Sequence, residues 1–143
     1  MGPSVTGDAT FTAQLTSFNG ENYSALAALM WRNSTAPGDT FVEVGYASGW
    51  GAWMQWRSTA NANVRNTRGL RVPVPSGGQP LWLKLVRQGA TFTGYVSAGG
   101  TTWAALGSTT AALNTTALAG LAVISEYSAP AATAIFTNVG LSW

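Results

Sequence analysis

Asp8, Glu21, Asp39, Glu43 and Glu126 are the only carboxylates of this chain, and there is neither a histidine nor a cysteine to work with them. Glycoside hydrolysis ordinarily needs two carboxyl groups flanking the bond, roughly 5 to 10 Å apart. Of the five, only Glu43 falls mid-strand on an open face, in TFVEVGY. A serine nucleophile would have no imidazole to take its proton and no G-x-S-x-G turn to present it. Zinc and most transition metals lack their usual ligands. The glycine-rich pieces GWGAW and SGG have no following Lys-Ser/Thr pair, so a phosphate loop is not supported. No catalytic residue, metal site or cofactor is expected.

What the chain offers instead is indole. Three of its seven tryptophans, Trp50, Trp53 and Trp56, fall within GYASGWGAWMQWRSTA. A pyranose ring has an apolar face that packs on an indole and a rim of hydroxyls that pairs with amides, guanidiniums or carboxylates. Gln55 and Arg57 interleave with these tryptophans, and Glu43 and Arg32 lie in the two preceding strand-like runs. Whether such residues meet depends on the elements that carry them.

Those elements read as strands. No helical pattern persists for ten residues, while short runs rich in Val, Thr and aromatics recur between Gly, Pro, Asn and Ser clusters. Strands are predicted at 9–18, 24–32, 40–46, 52–58, 69–75, 80–88, 91–98, 102–109, 118–127 and 133–143. ALAAL has helical propensity, but MWRNSTAPGD follows at once and leaves no length for a helix. The stretch 109–120 has room for one short turn. About ten short strands in 143 residues predict one domain, 1–143, all-β, a two-sheet antiparallel β-sandwich of jelly-roll type.

Alternation along strands then assigns faces. In a hairpin of FVEVGY and AWMQWRS, Glu43, Gln55 and Arg57 mark the polar side. Trp53 shares it, Met54 and Trp56 point to the core, and Trp50 sits between Gly49 and Gly51 at the turn. On the preceding strand Arg32 places Met30 and Ala28 outward and Trp31 and Leu29 inward. Met30, Arg32, Glu43, Trp53, Gln55 and Arg57 are thus expected to form one open patch, with Trp50 at the adjoining loop end. Trp56, Trp82 and Trp103 are read as core, although Trp82 shares the parity of Lys84. Thr93, Tyr95 and Ser97 share one strand face, read as a plain solvent-facing strand or an extension of a binding surface. Trp143 is expected against the first strand or in a contact between molecules.

Charge is scarce. Charged residues make up 8% of the chain against 46% hydrophobic, with seven basic and five acidic groups. That is about a third of the usual charged share. A net charge of +2 gives no footing for nucleic acid, and Arg65, Arg68 and Arg71 in NVRNTRGLR read as solvated side chains or as a basic rim. No run approaches about 20 apolar residues, and MGPSVTGDAT lacks the basic and apolar segments of a signal peptide, so no membrane span is expected.

The pieces GDATFTAQL, ALMWRNSTAPGDTFVEV, WLKLVRQGATFTGYVSAGGTTWAALGS, LAGLAVIS and ATAIFTNVGLS, covering nearly the whole chain, resemble the concanavalin A-like (laminin G-like) lectin and glucanase sandwich domains. These occur as accessory modules of secreted bacterial glycoside hydrolases and in cell-surface proteins. The resemblance implies a lectin-like, carbohydrate-associated domain, secreted or at the cell surface, within a larger enzyme. It also implies structural roles for Trp82 and Trp103. Hydrolytic relatives carry an E-x-D-x-x-E strand, which is missing here. Where relatives read F-D-N-V, this chain has Phe136-Thr137-Asn138-Val139, so calcium loses a carboxylate.

Two functions follow as expectations. The first is a non-catalytic polysaccharide- or oligosaccharide-binding module using Trp53, Trp50, Arg57, Gln55, Glu43, Arg32 and Met30. The second is a structural or self-associating surface module, a homo-oligomer, that uses the same aromatics in a protein contact.

Overall fold

The computed structural model describes residues 4–19, 26–47, 51–67, 80–124 and 133–143. Eleven strands are found there: β1 (Ser4–Thr6), β2 (Ala9–Asn19), β3 (Leu26–Arg32), β4 (Phe41–Ala47), β5 (Gly51–Arg57), β6 (Arg65–Asn66), β7 (Leu81–Gln88), β8 (Thr91–Ser97), β9 (Ala104–Thr110), β10 (Thr116–Ile124) and β11 (Thr133–Ser142). The described residues contain no helix. They form two wholly antiparallel sheets, six strands in the order β1-β10-β3-β4-β5-β6 and five in the order β11-β2-β7-β8-β9. The sheets face each other as a jelly-roll-like sandwich, the architecture that the strand spacing predicts.

Alternation builds the core. Along β7 the pattern is strict: Leu81, Leu83, Leu85 and Arg87 are buried, while Trp82, Lys84 and Val86 are half-buried. Opposite them β3 and β4 turn Ala27, Leu29, Trp31, Val42, Val44 and Tyr46 inward. Trp31 is the centrepiece, edge-on to Phe11 at 6.4 Å and to Phe92 at 5.9 Å between ring centroids. Such T-shaped contacts match ring edge to ring face. Close approach of the sheets requires Gly94, since a Cβ there would lie 2.6 Å from Met54 Cγ.

The sequence reading missed two elements. β1, three residues long, is too short to show alternation, yet it pairs Ser4, Val5 and Thr6 with Leu118, Ala117 and Thr116. β6 has only two residues. The stretch 111–115 holds no helical turn; its backbone is engaged by Arg87, whose Nη2 donates to Leu113 O at 3.1 Å, and by Asn33 Oδ1, which accepts from Asn114 N at 2.7 Å. The expected strand 69–75, and Trp50, Arg68 and Arg71, lie outside the described residues. Arg65 is exposed. Trp143 is 77% exposed, and its indole donates to Thr6 O at 3.2 Å on β1, a strand outside the predicted set, whose first member is 9–18.

Candidate functional site

β3, β4 and β5 bring the six predicted patch residues onto the outer face of the six-stranded sheet. Met30, Glu43 and Gln55 stand in one cross-strand row, Arg32, Phe41 and Arg57 in the next, and Ala28, Gly45 and Trp53 in the third. The expected parity is therefore the observed one. The expected exposure is not. Trp53 is only 2% exposed, Glu43 0% and Met30 7%, while Arg32, Gln55 and Arg57 are half-buried. Trp53 packs in a small apolar cluster with Leu26, Ala28 and Ala47. With glycine opposite it at Gly45, the indole beds into the sheet surface instead of standing above it. The reading of Trp53 as an exposed stacking ring is overturned by this packing.

The charges on this face are likewise tied inward. Glu43 Oε1 accepts a hydrogen bond from Gln55 Nε2, and Oε2 has no partner among the described residues. Burial raises the Glu43 carboxyl from 4.5 to about 7, outweighing the opposing Gln55 hydrogen bond and the Arg32 charge. Arg32 spends its guanidinium on the following loop, donating from Nε to Ser34 O and from Nη2 to Ala36 O at 2.8 Å. Arg57 does the same for Ala62 O at 2.9 Å. Both guanidinium carbons lie over the Phe41 ring, at 5.9 and 5.4 Å. In that loop Asp39 accepts from Ser34 Oγ and from Thr40 N, which holds its carboxyl below the usual range. These residues build the fold around Glu43 more than they present an open platform.

The outer face of the five-stranded sheet has the opposite character. Trp82, Lys84 and Tyr95 project from β7 and β8, with Lys84 paired across from Tyr95. Gln14 stands beside Trp82 and Thr12 beside Lys84 on β2. The loop between β8 and β9 folds back over this face. Its Gly100, at φ +84°, lies so close to the Trp82 indole that a Cβ would come within 2.8 Å of Cε2, and Gly100 N donates to Ser97 Oγ at 2.8 Å. That fold-back sets Trp103 beside Lys84, whose Nζ is 4.2 Å from the Trp103 ring centroid and 4.8 Å from that of Tyr95.

Trp82, Lys84, Tyr95, Trp103, Gln14 and Thr12 are all half-buried, so each keeps some surface open to solvent. Trp82 and Trp103 are therefore not core, contrary to expectation, whereas Trp56 does pack against the core cluster. The signal was present: Trp82 alternates in phase with Lys84, and Thr93, Tyr95 and Ser97 share a strand face. Gln14 Oε1 accepts from Asn138 Nδ2 at 3.1 Å and from Thr137 Oγ1 at 3.4 Å, which fixes the amide at the edge of the aromatic group. Asn138 reaches it from a bulge in β11, with φ +53°.

A third feature is an apolar slot of about 390 Å³ between β10 and β11, lined by Phe11, Ala119, Gly120, Leu121, Val139, Gly140 and Leu141. It offers no polar side chain to orient a ligand, which a specific small-molecule site requires. No three acidic or other metal-ligating side chains gather among the described residues, and no helix there is long and apolar enough to cross a membrane.

A scan against protein-family models finds no match, and a search of curated proteins finds none either. Among solved structures the chain is similar to a functionally unknown protein from Saccharomyces cerevisiae, with a TM-score of 0.75 and 13% identity over 99% of this chain and 72% of that one. It is also similar to xylan beta-1,4-xylosidase from Bacillus halodurans C-125, with a TM-score of 0.61 and 18% identity over 90% of this chain and 26% of the xylosidase. This chain thus spans about a quarter of the xylosidase. At these identities the likeness is one of fold: a β-sandwich of a kind found in a glycoside hydrolase, with no sequence match behind the narrower concanavalin A-like assignment.

Proposed function

We propose that this sandwich is a non-catalytic carbohydrate-binding module that holds a polysaccharide on the outer face of its five-stranded sheet. The observation that carries the reading is the group of Trp82, Tyr95 and Trp103 on a sheet face edged by Gln14 and Thr12. Rings of this kind bury the apolar face of a pyranose, and the flanking amide and hydroxyl take up its oxygens. The same face carries no carboxylate among the described residues, in keeping with a module that binds without cleaving. In this reading the domain belongs to a larger secreted or cell-surface protein, as the similar sandwich of the xylosidase is one part of a longer chain.

Titration with a panel of neutral and acidic polysaccharides, followed by tryptophan fluorescence, tests the proposal. Binding is expected, and Trp103→Ala and Tyr95→Ala are expected to weaken it about tenfold or more, since an aromatic stacking contact is worth roughly 1 to 3 kcal/mol. Unchanged affinity in both folded variants would overturn the assignment to this face.

A second reading, self-association, is favoured by one observation. Ile135 and Val139 on the edge strand β11, Trp143 just after it, and Leu121 and Val123 on β10 are exposed apolar residues. The edge strand has no lysine, glutamate or proline, the usual guards against pairing with another chain. Light scattering across a concentration series, with Ile135→Lys as the disrupting variant, tests it.

A further inference from the structure

Lys84 is the only lysine in the chain, and it stands in the middle of the aromatic group. It is also the only charged side chain on the outer face of the five-stranded sheet among the described residues. Its neighbours there are Thr12, Gln14, Trp82, Thr93 and Tyr95. No carboxylate lies within 4 Å of its ammonium among the described residues, and its described contacts are the two ring faces at 4.2 and 4.8 Å. Rings attract an ammonium through their quadrupole but supply no hydrogen-bond acceptor oxygen. A half-buried cation with no anion beside it among the described residues is open to an anionic partner, and the aromatic walls around it weaken solvent screening.

We propose, building on the carbohydrate-binding reading, that this face selects acidic polysaccharides, with the carboxylate of a uronic acid residue paired to Lys84. The sugar ring of the same residue lies on the Trp103 and Tyr95 side of the platform, and neighbouring hydroxyls meet Gln14 and Thr12. One uronate unit thus satisfies the two things that the face presents together, an aromatic surface and a cation with no carboxylate partner among the described residues. A neutral sugar satisfies only the first.

The test is calorimetric titration of the whole chain with polygalacturonate, alginate and hyaluronan, each beside its carboxyl-reduced neutral counterpart. At least one acidic polymer is expected to bind about tenfold more tightly than its neutral counterpart, the size of a charged hydrogen bond. Lys84→Gln is expected to abolish that preference and Lys84→Arg to keep it, with thermal unfolding confirming that both variants fold. The preference is also expected to shrink as salt is raised. Equal affinity for the acidic and reduced forms, or a preference that survives Lys84→Gln, overturns the uronate assignment and leaves the binding face standing. Failure of every polymer to bind, acidic and neutral alike, overturns the carbohydrate reading itself.

Discussion

Replacing Glu43 by glutamine removes one buried ionisation and should make the chain less sensitive to pH. In the folded chain burial holds the proton on Glu43 up to about pH 7, whereas a free glutamate loses it at about 4.5. Between those limits folding takes up a proton, so each rise in pH works against the folded state. The loss is absent below pH 4.5, accumulates to pH 7 and is then constant. One pH unit is worth about 1.4 kcal/mol, so the full loss is roughly 3 kcal/mol. Glutamine fits the same space and its carbonyl still accepts the hydrogen bond from Gln55 Nε2. The chain has no histidine, so no other side chain ordinarily has its midpoint between about pH 5 and 7. The assay is urea unfolding of both proteins at pH 4, 5, 6, 7 and 8. The variant is expected to gain about 3 kcal/mol relative to the parent from pH 4 to pH 8. A stability difference that stays constant across this range would refute the reasoning that Glu43 is neutral because it is buried.

Two other substitutions separate fold from site. Trp53→Ala should cost about 3 to 5 kcal/mol, the range for emptying a buried tryptophan site, with polysaccharide affinity of the remaining folded protein unchanged; chemical unfolding and titration measure both. Gly94→Ala should cost about 1 to 3 kcal/mol in the same unfolding assay, because the new Cβ would meet Met54 Cγ at 2.6 Å and Val44 Cγ2 at 3.3 Å.

Alternation made the sheet faces legible in the sequence, and glycine and proline punctuation made most strand limits legible. Met30, Glu43 and Gln55 do share a row, and Trp31 and Met54 do point inward. Exposure was not legible. Glu43 and Arg57 served as markers of water, but parity states only which way a side chain points, not what covers it. A carboxyl that keeps its proton is compatible with a dry site, and a guanidinium bound to Ala62 O is part of a loop. The same assumption hid the second face, because tryptophan was equated with core even where Trp82 alternated in phase with Lys84. The fold-back that sets Trp103 beside Lys84 rests on Gly100 at positive φ, a conformation that the pair Gly99-Gly100 permits but does not specify.

The most direct test of the binding face is a chemical-shift map of the isotope-labelled chain during titration with a polysaccharide that binds it. The largest changes are expected at the indole signals of Trp82 and Trp103 and at the Tyr95 and Gln14 side chains, with Trp53 and Trp31 unmoved. Shifts confined to Met30, Gln55, Arg57 and Trp53 on the six-stranded sheet would contradict the account.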